Sequence, residues 1–100
     1  TTVEAALGPC IHPSCYEFSP VDLDVVAGRL GDSVRSVTAR GTPALDLPGA
    51  VRQALADAGV DLVEDAGVCT ACDVDEHGAL RWFSHRARCD EERQALIQWT

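Results

Sequence analysis

The stretch from Asp46 to Gly59 limits the fold of this chain more than any other segment, because it has the pattern of one amphipathic helix. Its apolar residues recur at helical spacing, at Leu47, Val51, Ala54, Leu55 and Ala58. Asp46 is a typical N-cap, and Gly59 is a typical residue for the C-terminal stop. The sequence therefore predicts a helix over residues 47–58 with one face turned towards a core.

A second helix is predicted upstream of the first. Ser19 can cap it, and Pro20 suits its first turn. The negative charge of Asp22 is favourable near the positive end of the helix dipole. The helix should run to Leu30 and end at Gly31. The predicted inner face consists of Val21, Val25, Val26 and Leu30.

Apolar segments between and after these helices have the pattern of strands. The predicted strands are residues 3–7, 34–39, 62–68, 80–86 and 94–99. Strands that alternate with helices favour an α/β fold (α+β type), with mixed sheets and helices packed on them. The 100 residues contain no internal repeat or linker, so they are expected to form part of one domain over residues 1–100.

Composition narrows the possible partners and locations. The net charge is −8, and all eight basic residues are arginine, so the chain lacks the basic stripe that a phosphate backbone requires. We therefore expect no nucleic acid partner. No apolar run approaches the ~18 residues of a membrane span, and no secretion signal is visible. The odd count of five cysteines favours free thiols and a cytoplasmic location.

Two cysteine-containing segments allow several interpretations. One is Cys10-x-His12-x-x-Cys15, and the other is Cys69-x-x-Cys72. A structural zinc site would need four such ligands, and a cysteine hydrolase would need one thiol paired with a histidine. In the third interpretation the cysteines are small apolar residues that only fill space in loops and strand ends. A thioredoxin-like redox pair is disfavoured, because acidic residues follow the second segment instead of a helix. The residues alone leave the other three interpretations open.

Several short segments, taken in order, resemble one known family. They are LGPCI (residues 7–11), CYE (15–17), LDL (45–47), AGV (58–60), CT (69–70), FSxR (83–86) and RQA (93–95). In this order and spacing they resemble the C-terminal part of the YfiH/laccase-domain family. The resemblance covers residues 3–99.

The resemblance implies a fold, a chemistry and a cofactor. The family has a layered α/β/β/α fold and was first described as multicopper polyphenol oxidases. It is now regarded as zinc-dependent purine nucleoside phosphorylases with adenosine deaminase activity. Two histidines and a cysteine of the N-terminal part hold its zinc (or copper). The resemblance therefore implies that this chain has no metal ligand and no catalytic residue, and that it is inactive alone.

The resemblance also implies substrate-side roles for five residues. Arg86 would bind the phosphate, and Phe83 or Ser84 would bind the purine nucleoside. Cys10 and Ile11 would shape the pocket from the loop that follows the first strand. The expected partners are a purine nucleoside, phosphate, and either the missing N-terminal part or another copy of the chain.

Some positions depart from the family pattern. His12 stands where the family commonly has glycine, and His85 stands where it has tyrosine. Glu91 and Glu92 replace the Thr-Gly that precedes Arg93. The alternative to an enzyme is a non-catalytic α/β binding module, with zinc bound by its Cys/His clusters as one way to stabilise it.

Overall fold

The computed structural model describes residues 3–95 and 97. Within these residues, four short strands and three helices follow one another. They are β1 (Glu4–Leu7), α1 (Pro20–Leu30), β2 (Arg35–Val37), β3 (Pro43–Leu45), α2 (Leu47–Asp57), β4 (Asp61–Asp65) and α3 (His85–Arg88). Two 3-10 turns, Pro13–Cys15 and Asp32–Val34, precede α1 and β2.

Among the described residues the strands form two small sheets of different kinds. β1 and β4 pair in parallel, with Glu4 opposite Asp61 and Leu7 opposite Asp65, and the register shifts after Ala5. β2 and β3 form an antiparallel pair. Helices lie between β1 and β2 and between β3 and β4, so the α/β prediction with mixed sheets is confirmed.

The core lies in two adjoining clusters. The larger one packs α1 and α2 against β3 through the buried residues Leu23, Ala27, Val34, Leu45 and Ala50. The smaller one contains Ile11, Cys69 and Ala71. Tyr16 and Leu47 contact both clusters, so the two loops that carry cysteines are packed directly on the helical core.

Local capping signals predicted the helix starts correctly. The Ser19 hydroxyl accepts a hydrogen bond from the Asp22 amide at 3.1 Å, and the Asp46 carboxylate accepts one from the Gly49 amide at 3.0 Å. Gly31 and Gly59 both have a positive φ, at 94° and 72°, which suits glycine after a helix.

The predicted inner face of α1 was half wrong. Val21 and Val25 are 74% and 61% exposed, whereas Leu23 and Ala27 are buried. α1 carries apolar residues on two faces, and contact with β3 and α2 selects the Leu23 face. In α2, similarly, Pro48 and Ala50 are buried, whereas Ala54 and Ala58 of the predicted stripe are exposed.

The strand predicted over residues 80–86 was also wrong. Leu80 makes an isolated bridge to Val74, and the chain then enters α3 from the N-cap residue Ser84. Of the strand predicted over residues 94–99, positions 94, 95 and 97 have no regular structure, and the others lie outside the described residues. No helix in the described part of the chain has the length and apolar character to cross a membrane.

Candidate functional site

The loops that follow β1 and β4 meet at one edge of the parallel pair, because the carboxyl ends of parallel strands lie together. Cys10 and Cys69 form a parallel bridge there. The Cys10 amide donates to the Val68 carbonyl at 3.4 Å, and the Thr70 amide donates to the Cys10 carbonyl at 3.1 Å. Two cysteine segments far apart in sequence are thus joined through their backbones.

Three thiols converge at this edge. The sulfur atoms of Cys15, Cys69 and Cys72 all lie within 4.8 Å of one another. Cys69 is buried, Cys15 is half-buried and Cys72 is exposed, and all three are free thiols. We call these residues the thiol cluster. It could hold a metal ion, so the expectation that the chain contributes no metal ligand is not confirmed.

The cluster stabilises negative charge on one sulfur. Burial alone would raise the pKa of Cys69, but hydrogen bonds from the His12, Ala71 and Cys72 amides and from the Cys72 thiol lower it. Desolvation, followed by hydrogen bonds to Cys69 and Cys15, raises the pKa of Cys72 to about 12. The pKa of Cys69 therefore lies below the ordinary thiol value and that of Cys72 above it, and the Cys72 thiol donates a hydrogen bond to the Cys69 sulfur.

A cleft of about 420 Å³ adjoins the cluster at Cys15. Its lining residues are Ser14, Cys15, Glu17, Thr38, Ala39, Arg40, Thr42, Arg86 and Ala87. The hydroxyls of Thr38 and Thr42 hydrogen-bond each other at 2.7 Å and fix the turn that carries Arg40. We call the cleft that Arg40 and Arg86 line the arginine cleft. Its volume falls within the usual range for small-molecule pockets.

Arg86 is held in place by the segment that follows the 3-10 turn Pro13–Cys15. Its guanidinium donates to the Glu17 carbonyl and lies 5.2 Å from the centre of the Tyr16 ring. A guanidinium over an aromatic face gains a cation–π interaction. Arg86 is therefore positioned at the cleft wall by contacts that leave donors for a ligand, because a guanidinium has five N–H groups.

Arg88 connects α3 to the loop of Cys69 and Cys72. It donates to the Ala71 carbonyl at 2.8 Å and to the Trp82 carbonyl at 2.6 Å, and it pairs with Asp90 at 3.0 Å. The thiol cluster and the arginine cleft thus share the support of α3.

The structure places one of the five predicted site residues, Arg86, in the arginine cleft, whereas the other four lie outside its lining. Cys10 is half-buried, and Ile11 is 8% exposed in the core next to Cys69. Burial raises the pKa of the Cys10 thiol, and the negative charge of Asp65 raises it further. Cys10 and Ile11 thus support the loop from inside.

Phe83 and Ser84 lie at the start of α3. The Ser84 side chain is 7% exposed, and its hydroxyl accepts from the Ala87 amide at 3.2 Å. Phe83 is 45% exposed, and its backbone exchanges two hydrogen bonds with the Gln94 side chain. Phe83 is accessible to a ligand, whereas Ser84 is occupied as a helix cap.

Arg40 lies beside a turn and outside every segment that resembles the family, so the sequence did not single it out. Zinc bound by the two cysteine segments was one open interpretation of the sequence, but which thiols meet was not predicted, although both predicted strands, 3–7 and 62–68, are followed by cysteines. Pairing those strands in parallel would have brought the two segments together.

Comparison with known proteins decides the family. A family model described as "Multi-copper polyphenol oxidoreductase laccase" matches residues 1–99. The chain belongs to this family. The resemblance drawn from its sequence motifs is thereby confirmed. No solved structure matches the chain.

The curated relatives of this laccase-family chain are named as purine nucleoside phosphorylases. One from Mycobacterium bovis and two from Mycobacterium tuberculosis strains are each 33% identical to it over 97 residues. The match covers 97% of this chain and 36% of each relative. The chain thus spans about a third of the length of the curated relatives it matches.

Proposed function

We propose that this chain is the C-terminal part of a single laccase domain that carries out purine nucleoside phosphorolysis, with the arginine cleft as its phosphate site. The relatives' names supply the substrate class. The observation that carries the proposal is the presence of Arg40 and Arg86 in one cleft of about 420 Å³. In a chain with net charge −8, two guanidinium groups at one cleft form a local site for an anion.

In this reaction a phosphate oxygen forms a bond to the ribose C1′ while the glycosidic bond breaks, and the purine leaves with a proton. Arg40 and Arg86 would bind the phosphate through charge-assisted hydrogen bonds and orient it for attack. The hydroxyls of Ser14, Thr38 and Thr42 line the same cleft and would complete the phosphate contacts.

The nucleoside would lie beside the phosphate. Phe83 is exposed enough to contact a purine face, whereas Ser84 would act by holding the start of α3. Cys10 and Ile11 would shape the pocket indirectly, by fixing the loop that leads to Cys15. Adenosine deamination, which the family resemblance implies, belongs to the same proposal.

The family's metal is the cofactor of this proposal. Of the described residues, the three sulfur donors of the thiol cluster would fit a soft ion such as zinc or copper(I), but the resemblance implies other ligands for this metal. The two histidines and one cysteine that the resemblance implies are expected in the N-terminal part. When bound, zinc supplies a Lewis acid for charge that develops during the reaction. We expect this chain alone to be inactive.

The exposed apolar side chains support the proposal that another part of the protein packs on this chain. Val21 and Val25 lie one turn apart on α1 and are 74% and 61% exposed, and Val63 on β4 is 59% exposed. The relatives are nearly three times as long as this chain. We propose that the rest of the domain covers these residues, rather than another copy of the chain, and that the assembled enzyme is cytoplasmic.

The test is a phosphorolysis assay on the purified polypeptide that contains residues 1–100 in its complete domain. Inosine and inorganic phosphate are supplied, and free purine and ribose 1-phosphate are measured. Arg86→Gln and Arg40→Gln should each lower kcat/KM at limiting phosphate by about 10-fold to 100-fold, because each removes charge-assisted hydrogen bonds.

Arg81→Gln is the matched control, since Arg81 is exposed, lies outside the cleft and is not on the face of α1 that the rest of the domain is proposed to cover. It should leave the rate unchanged. Wild-type activity that needs no phosphate, or equal rates in all three variants, would contradict the proposal.

The second candidate function is a non-catalytic binding module stapled by a metal. The thiol cluster favours it, because three convergent sulfurs can stabilise a fold without taking part in any reaction. A complete domain that binds metal and lacks both phosphorolysis and deamination would support this candidate.

A further inference from the structure

The thiol cluster is a constellation that the proposed phosphate chemistry does not use. Its three sulfur atoms come from two loops, with Cys15 after β1 and with Cys69 and Cys72 after β4. Ordinary packing of small apolar residues does not require three thiols within 4.8 Å of one another. A disulfide would use two of them and leave the third.

We propose that Cys15, Cys69 and Cys72 bind one thiophilic d¹⁰ metal ion, Zn²⁺ or Cu⁺. Soft thiolate ligands select these ions over hard cations. The site is separate from the two-histidine, one-cysteine site that the family resemblance implies. It does not depend on the proposed phosphate site.

The spacing of the sulfur atoms fits this role. Tetrahedral zinc with Zn–S bonds near 2.3 Å holds its sulfurs about 3.8 Å apart. The three thiols already lie within 4.8 Å of one another, so small rotations of the side chains close the difference. The geometry thus needs no movement of the strands that carry the loops.

The surrounding backbone is built to hold a thiolate. The His12 amide donates to the Cys69 sulfur at 3.2 Å across the two loops. The Asp73 amide donates to the Cys69 carbonyl at 3.0 Å and closes the Cys-x-x-Cys turn. Arg88 fixes the same turn through the Ala71 carbonyl at 2.8 Å. Such hydrogen bonds outside the ligand set orient metal ligands and tune their donor strength.

Three protein ligands leave one coordination position for water or a donor from elsewhere. Within residues 3–95 and 97 the group contains three donor atoms. Sites with three protein ligands and an open fourth position are typical of exchangeable or catalytic zinc, whereas structural zinc has four. Cys15 belongs to both the cluster and the arginine cleft, so the ion would adjoin the ligand that the cleft binds.

The test counts metal on the purified polypeptide that contains this chain. The protein is stripped with a chelator under reducing conditions and reloaded with Zn²⁺ or, in a second arm, with Cu⁺. Native mass spectrometry then gives ions bound per chain, and competition with a chromophoric chelator gives the affinity.

The variants are Cys72→Ser and Cys15→Ser, with Cys89→Ser as the matched control. Cys72 and Cys89 are both exposed, so serine should leave the fold intact, and circular dichroism checks this. Cys72→Ser and Cys15→Ser should each lower the affinity for one ion by at least about 100-fold, since even changes outside the ligand set cost 10-fold to 100-fold. Cys89→Ser should bind as the wild type does.

X-ray absorption on the loaded protein gives a readout independent of activity. For zinc we expect sulfur neighbours near 2.3 Å, as in other zinc–thiolate sites, and their number per zinc ion should fall in Cys72→Ser. Tight binding in the Cu⁺ arm alone would assign copper to the same site. Equal metal content in the wild type and Cys72→Ser would overturn the proposal. So would a disulfide between cluster cysteines whose reduction restores no metal binding.

Discussion

At the residue scale, single carboxylates and hydroxyls determine how the C-terminal segment folds. The Asp90 carboxylate accepts a hydrogen bond from the Ser84 amide at 3.0 Å and forms an ion pair with Arg88. The Ser84 hydroxyl caps α3. These side chain–backbone bonds compete with strand formation, and here they outweigh the apolar pattern of residues 80–86. The apolar pattern alone could not reveal that competition.

The first prediction concerns Asp90 and pH. The Ser84 amide, and then the Arg88 guanidinium, hold the pKa of Asp90 below its ordinary value. A carboxylate with a lowered pKa adds stability above the ordinary carboxyl range, and this contribution is lost as pH falls through the folded-state pKa. Asp90→Asn should therefore be less stable than the wild type at neutral pH, and the difference should shrink between about pH 5 and pH 3.

Urea unfolding at several pH values measures this difference. Glu92→Gln is the control, because the hydrogen bond to Glu92 in the described structure uses its backbone carbonyl. A stability difference for Asp90→Asn that stays constant with pH would mean that the charge on Asp90 contributes nothing.

At the element scale, the helices were the most predictable parts, because their caps are local. Ser19 and Asp46 occupy the N-cap positions that the sequence indicated, and α1 and α2 begin where predicted. Which face of each helix is buried was harder to predict, since burial depends on contacts with residues distant in sequence. Val21 and Leu23 are both apolar, and packing on β3 and α2 buries Leu23.

The second prediction tests the cap of α2. Asp46→Ala should lower the free energy of unfolding by about 1 kcal/mol, because the Gly49 amide loses its acceptor. Asp46→Asn should retain most of the stability, since asparagine is an equally good cap. Chemical denaturation measures both, and equal losses in the two variants would indicate a role for the charge rather than the cap.

Gly49 gives a third prediction for the same helix start. A Cβ at this position would lie 2.5 Å from the Asp46 Oδ2 atom, which is closer than such contacts allow. Gly49→Ala should therefore displace the capping carboxylate and lower stability, although alanine is normally the better helix former. Gly28→Ala in α1 is the control, because a Cβ there meets nothing within 4 Å. It should be stabilising, and the same outcome for Gly49→Ala would contradict the account.

At the scale of the whole molecule, the parallel pairing of β1 and β4 brings the residues of the thiol cluster together. It joins the two cysteine loops, and α3 supports both the thiol cluster and the arginine cleft. Motif resemblance predicted the family, and the phosphate role that it implies for Arg86 stays a prediction. Arg40 and the choice of thiols in the cluster required knowledge of which loops meet. That depends on chain topology, which short motifs do not encode.

The fourth prediction concerns the exposed apolar side chains. Residues 1–100 expressed alone should bind a hydrophobic dye and self-associate, because Val21 and Val25 form an exposed apolar patch on α1. Val25→Ser should weaken both effects, and Val37→Ser on β2 serves as a matched control outside that patch. In the complete domain the dye signal should disappear. Equal dye binding in the complete domain would contradict our proposal that the rest of the domain covers these residues.

The most direct test of the central claim is calorimetric titration of inorganic phosphate into the complete domain, with and without the double substitution Arg40→Gln and Arg86→Gln. We predict binding to the wild type that weakens with added salt and is lost in the double variant, while Arg81→Gln binds normally. Undiminished phosphate binding by the double variant would show that the arginine cleft is not the phosphate site.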